Sequence, residues 1–272
     1  MHRVDIAAES LRTLFVEMYW EHQLLSCGTA FYYICDRQPF LVTAWHNVSG
    51  RHAVSGAFLS DHSVDPTTVT VHDRVKGAHI GKLGKRDIRV VSDDQKPLWL
   101  EHPSLSLDVV ALPVALDPVF LCDSWTADHP AVARNRLWVT DDVSVVGYPY
   151  GLKGGVDLPL WVRGTIASEP HIPYQDRPVF LVDSRTRKGQ SGSPVLLFYR
   201  PNTQIPVHGD SRFRTSESPV SRLIGVYSGR ISAESDLGYV WTVEALDEIC
   251  RDGAPGSYNP PLKNLAGIHK PE

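Results

Sequence analysis

Gly189-Gln190-Ser191-Gly192-Ser193-Pro194 runs straight into the apolar, β-type segment Val195-Leu196-Leu197-Phe198. That sequel decides between two ways of presenting a nucleophilic serine. The strand-to-helix elbow of the α/β-hydrolases needs Gly-x-Ser-x-Gly, a following helix and a histidine placed last in the chain. Here Ser193 stands where the second elbow glycine belongs, a strand follows, and the candidate histidine lies far upstream. An α/β-hydrolase esterase is rejected on those grounds.

Working outward from Ser191, two further segments complete a catalytic constellation. A serine hydroxyl is a weak nucleophile at neutral pH; it needs an imidazole to take its proton and a carboxylate to orient that imidazole. Thr43-Ala44-Trp45-His46 ends a strand and supplies the base. Leu107-Asp108-Val109-Val110-Ala111-Leu112 starts an otherwise apolar strand with a carboxylate. Burying such a group is costly unless it is hydrogen-bonded, and an imidazole Nδ1–H would provide the bond. The competing reading of Asp108 is a turn aspartate capping a strand. Gly189 and Gly192 free the backbone around Ser191, so that the N–H groups of Gly189 and Ser191 can form an oxyanion hole.

The rest of the chain reads as short apolar runs between turn residues. In the first half they are Thr29 to Cys35, Phe40 to Thr43, Thr68 to Val71, Ile88 to Val91 and Val109 to Val114. In the second they are Val143 to Val146, Trp161 to Ile166, Val179 to Val182, Val195 to Phe198, Leu223 to Val226 and Gly238 to Thr242. Such a pattern implies sandwiches or barrels. A connector around Ala127 to Arg136 divides the two sets. Ile6, Leu11, Leu14, Phe15, Met18 and Tyr19 fall near one helical face, which predicts an amphipathic helix outside a barrel. Val243 to Ile249 has helical spacing with Thr242 as its cap. Tyr199 to Arg222 is a polar, proline-containing stretch, read either as a mobile surface loop or as a recognition loop near a substrate cleft.

The order His, Asp, Ser, together with Gly-x-Ser-Gly-x-Pro, resembles the chymotrypsin-like (trypsin-like) serine peptidases, nearest the bacterial HtrA/Deg-type group without a PDZ domain. Gly28-Thr29-Ala30-Phe31, Gly147-Tyr148-Pro149-Tyr150-Gly151 and Ile224-Gly225-Val226-Tyr227-Ser228-Gly229-Arg230 extend the likeness over roughly residues 24 to 250. Trp45 departs from the small residue the family carries before its histidine. The resemblance implies an all-β fold of two six-stranded antiparallel β-barrels with an N-terminal and a C-terminal helix. The expected divisions are 1–22 for the first helix, 23–130 for the first barrel, 131–252 for the second barrel with the last helix, and 253–272 for a tail.

It further implies a serine endopeptidase with His46, Asp108 and Ser191 catalytic and Gly189 and Ser191 as the oxyanion hole. Ser228, Gly229 and Arg230 would pair with bound peptide, and Gly238 would form the far wall of the specificity pocket. By the family's register, Arg185, six residues before the nucleophile, lies at the base of that pocket. Arg185 and Arg230, with Arg187 and Lys188 close in sequence, would then favour Glu or Asp before the scissile bond. The competing reading turns Arg185 to solvent. Gln190, being neutral, cannot capture a new amino terminus by ion pairing, so zymogen-style activation is not expected. The alternative function is an inactive protease fold that holds a peptide or partner subunit.

A formal charge of −4 on 272 residues leaves no electrostatic footprint for nucleic acid or an anionic membrane surface. Protein or peptide substrates are the expected partners, with an oligomer or regulatory partner left open. No secretory signal or transmembrane segment is legible, so a cytoplasmic location is expected, and no appended peptide-binding domain. Cys27, Cys35, Cys122 and Cys250 lack metal-type spacing and are expected as free thiols; no metal or other cofactor is called for. Asn47 follows His46, where secreted relatives carry a cysteine bridged to the preceding strand, so that bridge cannot form.

Overall fold

The segment Thr13–Trp20, half of the stretch with helical spacing, is a β-strand in the computed structural model, which describes residues 6–127, 137–206 and 213–262. The helix before it is only α1, Ala8–Arg12. The reason is burial on both faces of the strand, β1. Leu14, Val16 and Met18 point into the core, while Phe15 on the opposite face meets Tyr148 of the second lobe edge-on at 5.2 Å. A strand buried on both sides loses its alternation and imitates a helical stripe. The expected N-terminal helical unit at 1–22 is thereby corrected to one short helix and the central strand of a sheet.

That sheet forms the first lobe. Its strands are β1, β2 (Gln23–Cys35), β3 (Gln38–Thr43), β4 (Thr68–Arg74), β5 (Leu83–Arg89), β6 (Leu100–Glu101), β7 (Val110–Pro113) and β8 (Ser124–Thr126). The antiparallel path runs β6-β7-β3-β2-β1-β4-β5, and β8 lies parallel to β2. The expected six-stranded closed barrel is not formed here. Between the β5 and β6 ends, closure is reduced to a Val91–Pro97 bridge and the Leu98 N–H to Val90 carbonyl bond at 2.9 Å. Pro97 has no N–H with which to extend that ladder.

The second lobe does close. β9 (Asp142–Gly147), β10 (Leu160–Ile166), β11 (Val179–Ser184), β12 (Ser193–Tyr199), β15 (Val220–Arg230) and β16 (Leu237–Thr242) make a six-stranded barrel. Val145, Phe180, Val182, Val195 and Val240 fill its interior. Between β12 and β15 the polar stretch forms a small hairpin of β13 (Ile205–Pro206) and β14 (Phe213–Arg214). The 128–136 part of the connector, residues 207–212 and the tail from 263 lie outside the described residues. No helix among the described residues is long and apolar enough to cross a membrane.

After β16, α3 (Val243–Asp252) starts as expected: Ala245 N–H donates to the Thr242 hydroxyl at 3.3 Å. The chain then returns to the first lobe, where β17 (Ala254–Pro255) pairs with β6. Beyond it, Ser257 N–H donates to Glu101 at 2.6 Å, and the Trp45 indole donates to the Ser257 carbonyl at 3.1 Å. Arg177 of the second lobe donates to the Pro261 carbonyl at 3.1 Å. The segment thus straps the first lobe behind His46 and touches the second.

Candidate active site

β3 ends at Thr43 and α2 (Trp45–Ser49) begins after the single residue Ala44, so His46 leaves the sheet at a fixed point on the lobe boundary. Trp45, fully buried, anchors it: its indole also donates to Glu101 Oε1 at 3.1 Å. Asp108, buried just before β7, faces the imidazole. Its two oxygens lie 3.0 and 2.9 Å from His46 Nδ1, and Oδ1 also accepts the His46 backbone N–H at 3.1 Å. An ionised carboxylate only accepts, so Nδ1 carries the proton and Nε2 keeps a free lone pair.

Ser191 comes from the turn between β11 and β12, in the opposite lobe, and lines one cleft of about 700 Å3 with His46 and Asp108. No hydrogen bond joins the Ser191 hydroxyl to His46, a looseness common before substrate arrives. The turn itself is tightly determined. Gly189 and Gly192 have φ of +96° and +88°, where side chains are rarely accommodated, and a Cβ on Gly192 would lie 2.1 Å from the Thr29 carbonyl oxygen. Gln190 is buried, and its Oε1 accepts the Arg187 N–H at 2.9 Å, which ties the turn to its own start. Among the described residues no acceptor takes the backbone N–H of Gly189 or Ser191.

Sequence reasoning missed the residues that lock this turn to the histidine. Asn47, next to His46, donates from Nδ2 to the Ser191 carbonyl at 3.0 Å and to the Thr43 hydroxyl at 2.9 Å. Thr29 N–H donates to the same Ser191 carbonyl at 3.1 Å, and the Thr29 hydroxyl to the Gly189 carbonyl at 2.9 Å. The signal was a polar residue beside the histidine, with Gly28 opposite: a Cβ on Gly28 would meet Asn47 Nδ2 at 2.7 Å. Hydrogen bonds thus hold the two lobes together beside a histidine that no disulfide tethers.

A sequence profile of the trypsin-like peptidase domain matches residues 28–199. The chain belongs to the trypsin-like serine peptidases. Among solved structures, a serine endoprotease from Yersinia pestis is similar at 12% identity and a TM-score of 0.50, over 92% of this chain and 69% of that one. The active form of the Rv3671c protease from M. tuberculosis aligns over 94% of this chain and 87% of that one, at 17% identity and a TM-score of 0.48. These likenesses concern the fold. No curated protein sequence matches the chain.

As a peptidase it acts on protein or peptide substrates, and the cleft beside Ser191 has further lining residues. Ser228, Gly229 and Arg230 line it, as do Arg187 and Lys188. Arg185 does not. It is exposed and lies outside the cleft lining, whereas Thr186 is buried, so the assignment of Arg185 to the pocket base is corrected. The strand alternation of β11 continues past its end and turns 185 outward and 186 inward. Gly238 is not in the lining either; the Tyr227 ring covers it. No described residue of the 199–222 stretch lines the cleft, which leaves the recognition-loop reading without support among the described residues.

Proposed function

We propose that the chain is an active serine endopeptidase in which Ser191 is the nucleophile, His46 the general base and acid, and Asp108 the orienter. The observation that carries the reading is the double contact of Asp108 on His46 Nδ1, inside the cleft that Ser191 also lines. Ser191 Oγ bonds to the scissile carbonyl carbon as its proton passes to His46 Nε2. The oxyanion is received by the unpaired N–H groups of Gly189 and Ser191. The C–N bond then breaks, the amine leaves with the proton from His46, and water, activated by the same imidazole, releases the acid and restores Ser191.

Substrate binding by strand addition fits the free edge of β15. Its ladder with β12 ends at Tyr227, so Gly229 and Arg230 pair only with β16, past a bulge at Ser228, and this stretch offers its other edge to an extended peptide. A preference for acidic side chains before the scissile bond is supported by Arg230 rather than Arg185. Arg187 is engaged by Asp236 at 3.3 Å and by the Thr186 carbonyl, while no ion pair holds Arg230 among the described residues. Glu-to-Gln exchange in a peptide at the positions facing Arg230 will lower kcat/KM, and added salt will shrink the difference. Equal rates at low salt remove the acidic preference.

Labelling with a fluorophosphonate tests the catalytic reading directly. Wild type is expected to react at Ser191 and Ser191→Ala not at all. A folded wild-type protein that stays unlabelled would return the chain to the alternative of an inactive peptide-binding module.

A further inference from the structure

The space beside the nucleophile is already occupied by part of the chain. Tyr227 stands at the end of the β12–β15 ladder, opposite Ser193, and its carbonyl accepts the N–H of Gly192 at 2.8 Å. Tyr227 and Ser191 line the same cleft. The Tyr227 ring runs across β16, where a Cβ on Gly238 would lie 2.4 Å from the ring and 2.8 Å from its hydroxyl. The hydroxyl ends in a hydrogen bond with Thr186, which is fully buried five residues before Ser191. Three walls, the turn before Ser191, the strand leading to Ser228 and the strand carrying Gly238, thus enclose a tyrosine ring and not a void. The open volume of the cleft starts at Ser191 and the edge of Tyr227 and extends along Ser228 to Ala233 and past Tyr174 and Tyr239.

We propose that Tyr227 plugs the pocket for the side chain preceding the scissile bond and restricts it to glycine, alanine or serine. This rests on the serine-endopeptidase reading above. Leucine, phenylalanine or a long charged side chain would have to displace a ring that is only 2% exposed and is packed in the core of the second barrel. Arg230, Arg187 and Asp236 act on the Tyr227 hydroxyl through space, while its hydrogen-bond partner is the neutral Thr186. Burial pushes the Tyr227 hydroxyl up to about 12, so the floor at neutral pH is a phenol and a threonine hydroxyl, both neutral. The acidic preference assigned to Arg230 therefore belongs to residues further from the bond, and the two features together describe a substrate with a small residue at the cut and acids before it.

Peptidyl diphenyl phosphonates, which phosphonylate the serine and differ only in the side chain next to phosphorus, read this out on the intact protein. Wild type is expected to label at Ser191 at least about tenfold faster with the alanine reagent than with the leucine, phenylalanine or glutamate reagents, the size of effect pocket contacts produce. Tyr227→Val should raise the leucine and phenylalanine rates to or above the alanine rate. Tyr227→Phe keeps the ring and should keep the alanine preference. Faster labelling of wild type by leucine, phenylalanine or glutamate overturns the proposal, as does a fluorophosphonate-reactive enzyme that shows no discrimination by size. Absence of labelling by every reagent, fluorophosphonate included, overturns the endopeptidase reading and this one with it. If Tyr227→Val does not fold, the wild-type series together with Tyr227→Phe decides alone.

Discussion

Replacing Asp108 by Asn tests the orienter without disturbing packing. The outcome follows from which oxygen accepts which proton. Oδ1 accepts the His46 backbone N–H at 3.1 Å, a donor that cannot reverse, so the amide oxygen of the substituted side chain must take that position. Its NH2 group then occupies the place of Oδ2, 2.9 Å from Nδ1. A donor there forces Nδ1 to accept and drives the ring proton to Nε2, where a lone pair is needed to take the Ser191 proton. All hydrogen bonds remain satisfied, so the fold should be nearly as stable as wild type. The rate should not survive: an inverted tautomer costs about 10⁴ in kcat, or about 5 kcal/mol of transition-state stabilisation. The assay is kcat and KM on a cleaved peptide, with urea unfolding as the control. A folded Asp108→Asn enzyme within tenfold of wild type would refute the assignment of Asp108 as orienter.

Other perturbations have equally definite outcomes. Asn47→Ala removes two hydrogen bonds at the lobe boundary, each worth about 1 kcal/mol; the urea unfolding free energy should drop by about 2 kcal/mol and kcat/KM should fall as the Ser191 turn loosens. Glu101→Ala strips an acceptor from the Trp45 and Trp99 indoles and from the Ser257 N–H, so a loss of about 2–4 kcal/mol is expected in the same measurement. Burial holds the Asp73 carboxyl above its ordinary range, so the unfolded chain ionises first as pH rises. Its contribution to stability is complete below the ordinary carboxylate range, about 3.9, and is lost as pH climbs through the raised native value. Asp73→Asn should therefore lose less stability than wild type between those two points; identical pH slopes would contradict the assignment. Thr242→Ala deletes the cap of α3 and should cost about 1 kcal/mol in thermal or urea unfolding.

The residues proposed as catalytic could be picked out as candidates because each sits in a short motif whose neighbours are dictated by the same chemistry: glycines beside Ser191, an apolar strand after Asp108, a strand before His46. Strand runs in both halves were legible from turn punctuation, and a β strand falls on every run that was picked out, though Ile88 to Val91 extends past the end of β5 and Val109 to Val114 overruns β7 at both ends. Thr13–Trp20 was not legible, since Val16 and Phe15 are buried on opposite faces and erase the period of two. The phase at Arg185 was not legible either. A register counted from a relative is an integer, and an error of one residue exchanges inside for outside, which is how Thr186 came to hold the buried position. Asn47 was seen only as a missing cysteine; its role depends on the Ser191 carbonyl, remote in sequence and visible only in three dimensions.

The strap formed by residues 254–262 has a temporal meaning. It leaves the ribosome after every other described residue, yet it supplies an acceptor to the indole next to His46 and a contact to each lobe. The first lobe, although synthesised early, has to wait for this segment before the Trp45 anchor is complete. A growing polypeptide that carries His46 and Ser191 but not residue 257 has the Trp45 indole held by Glu101 alone, without the Ser257 carbonyl. The last described segment to be made is thus also the one that ties the surroundings of Trp45 to the second lobe.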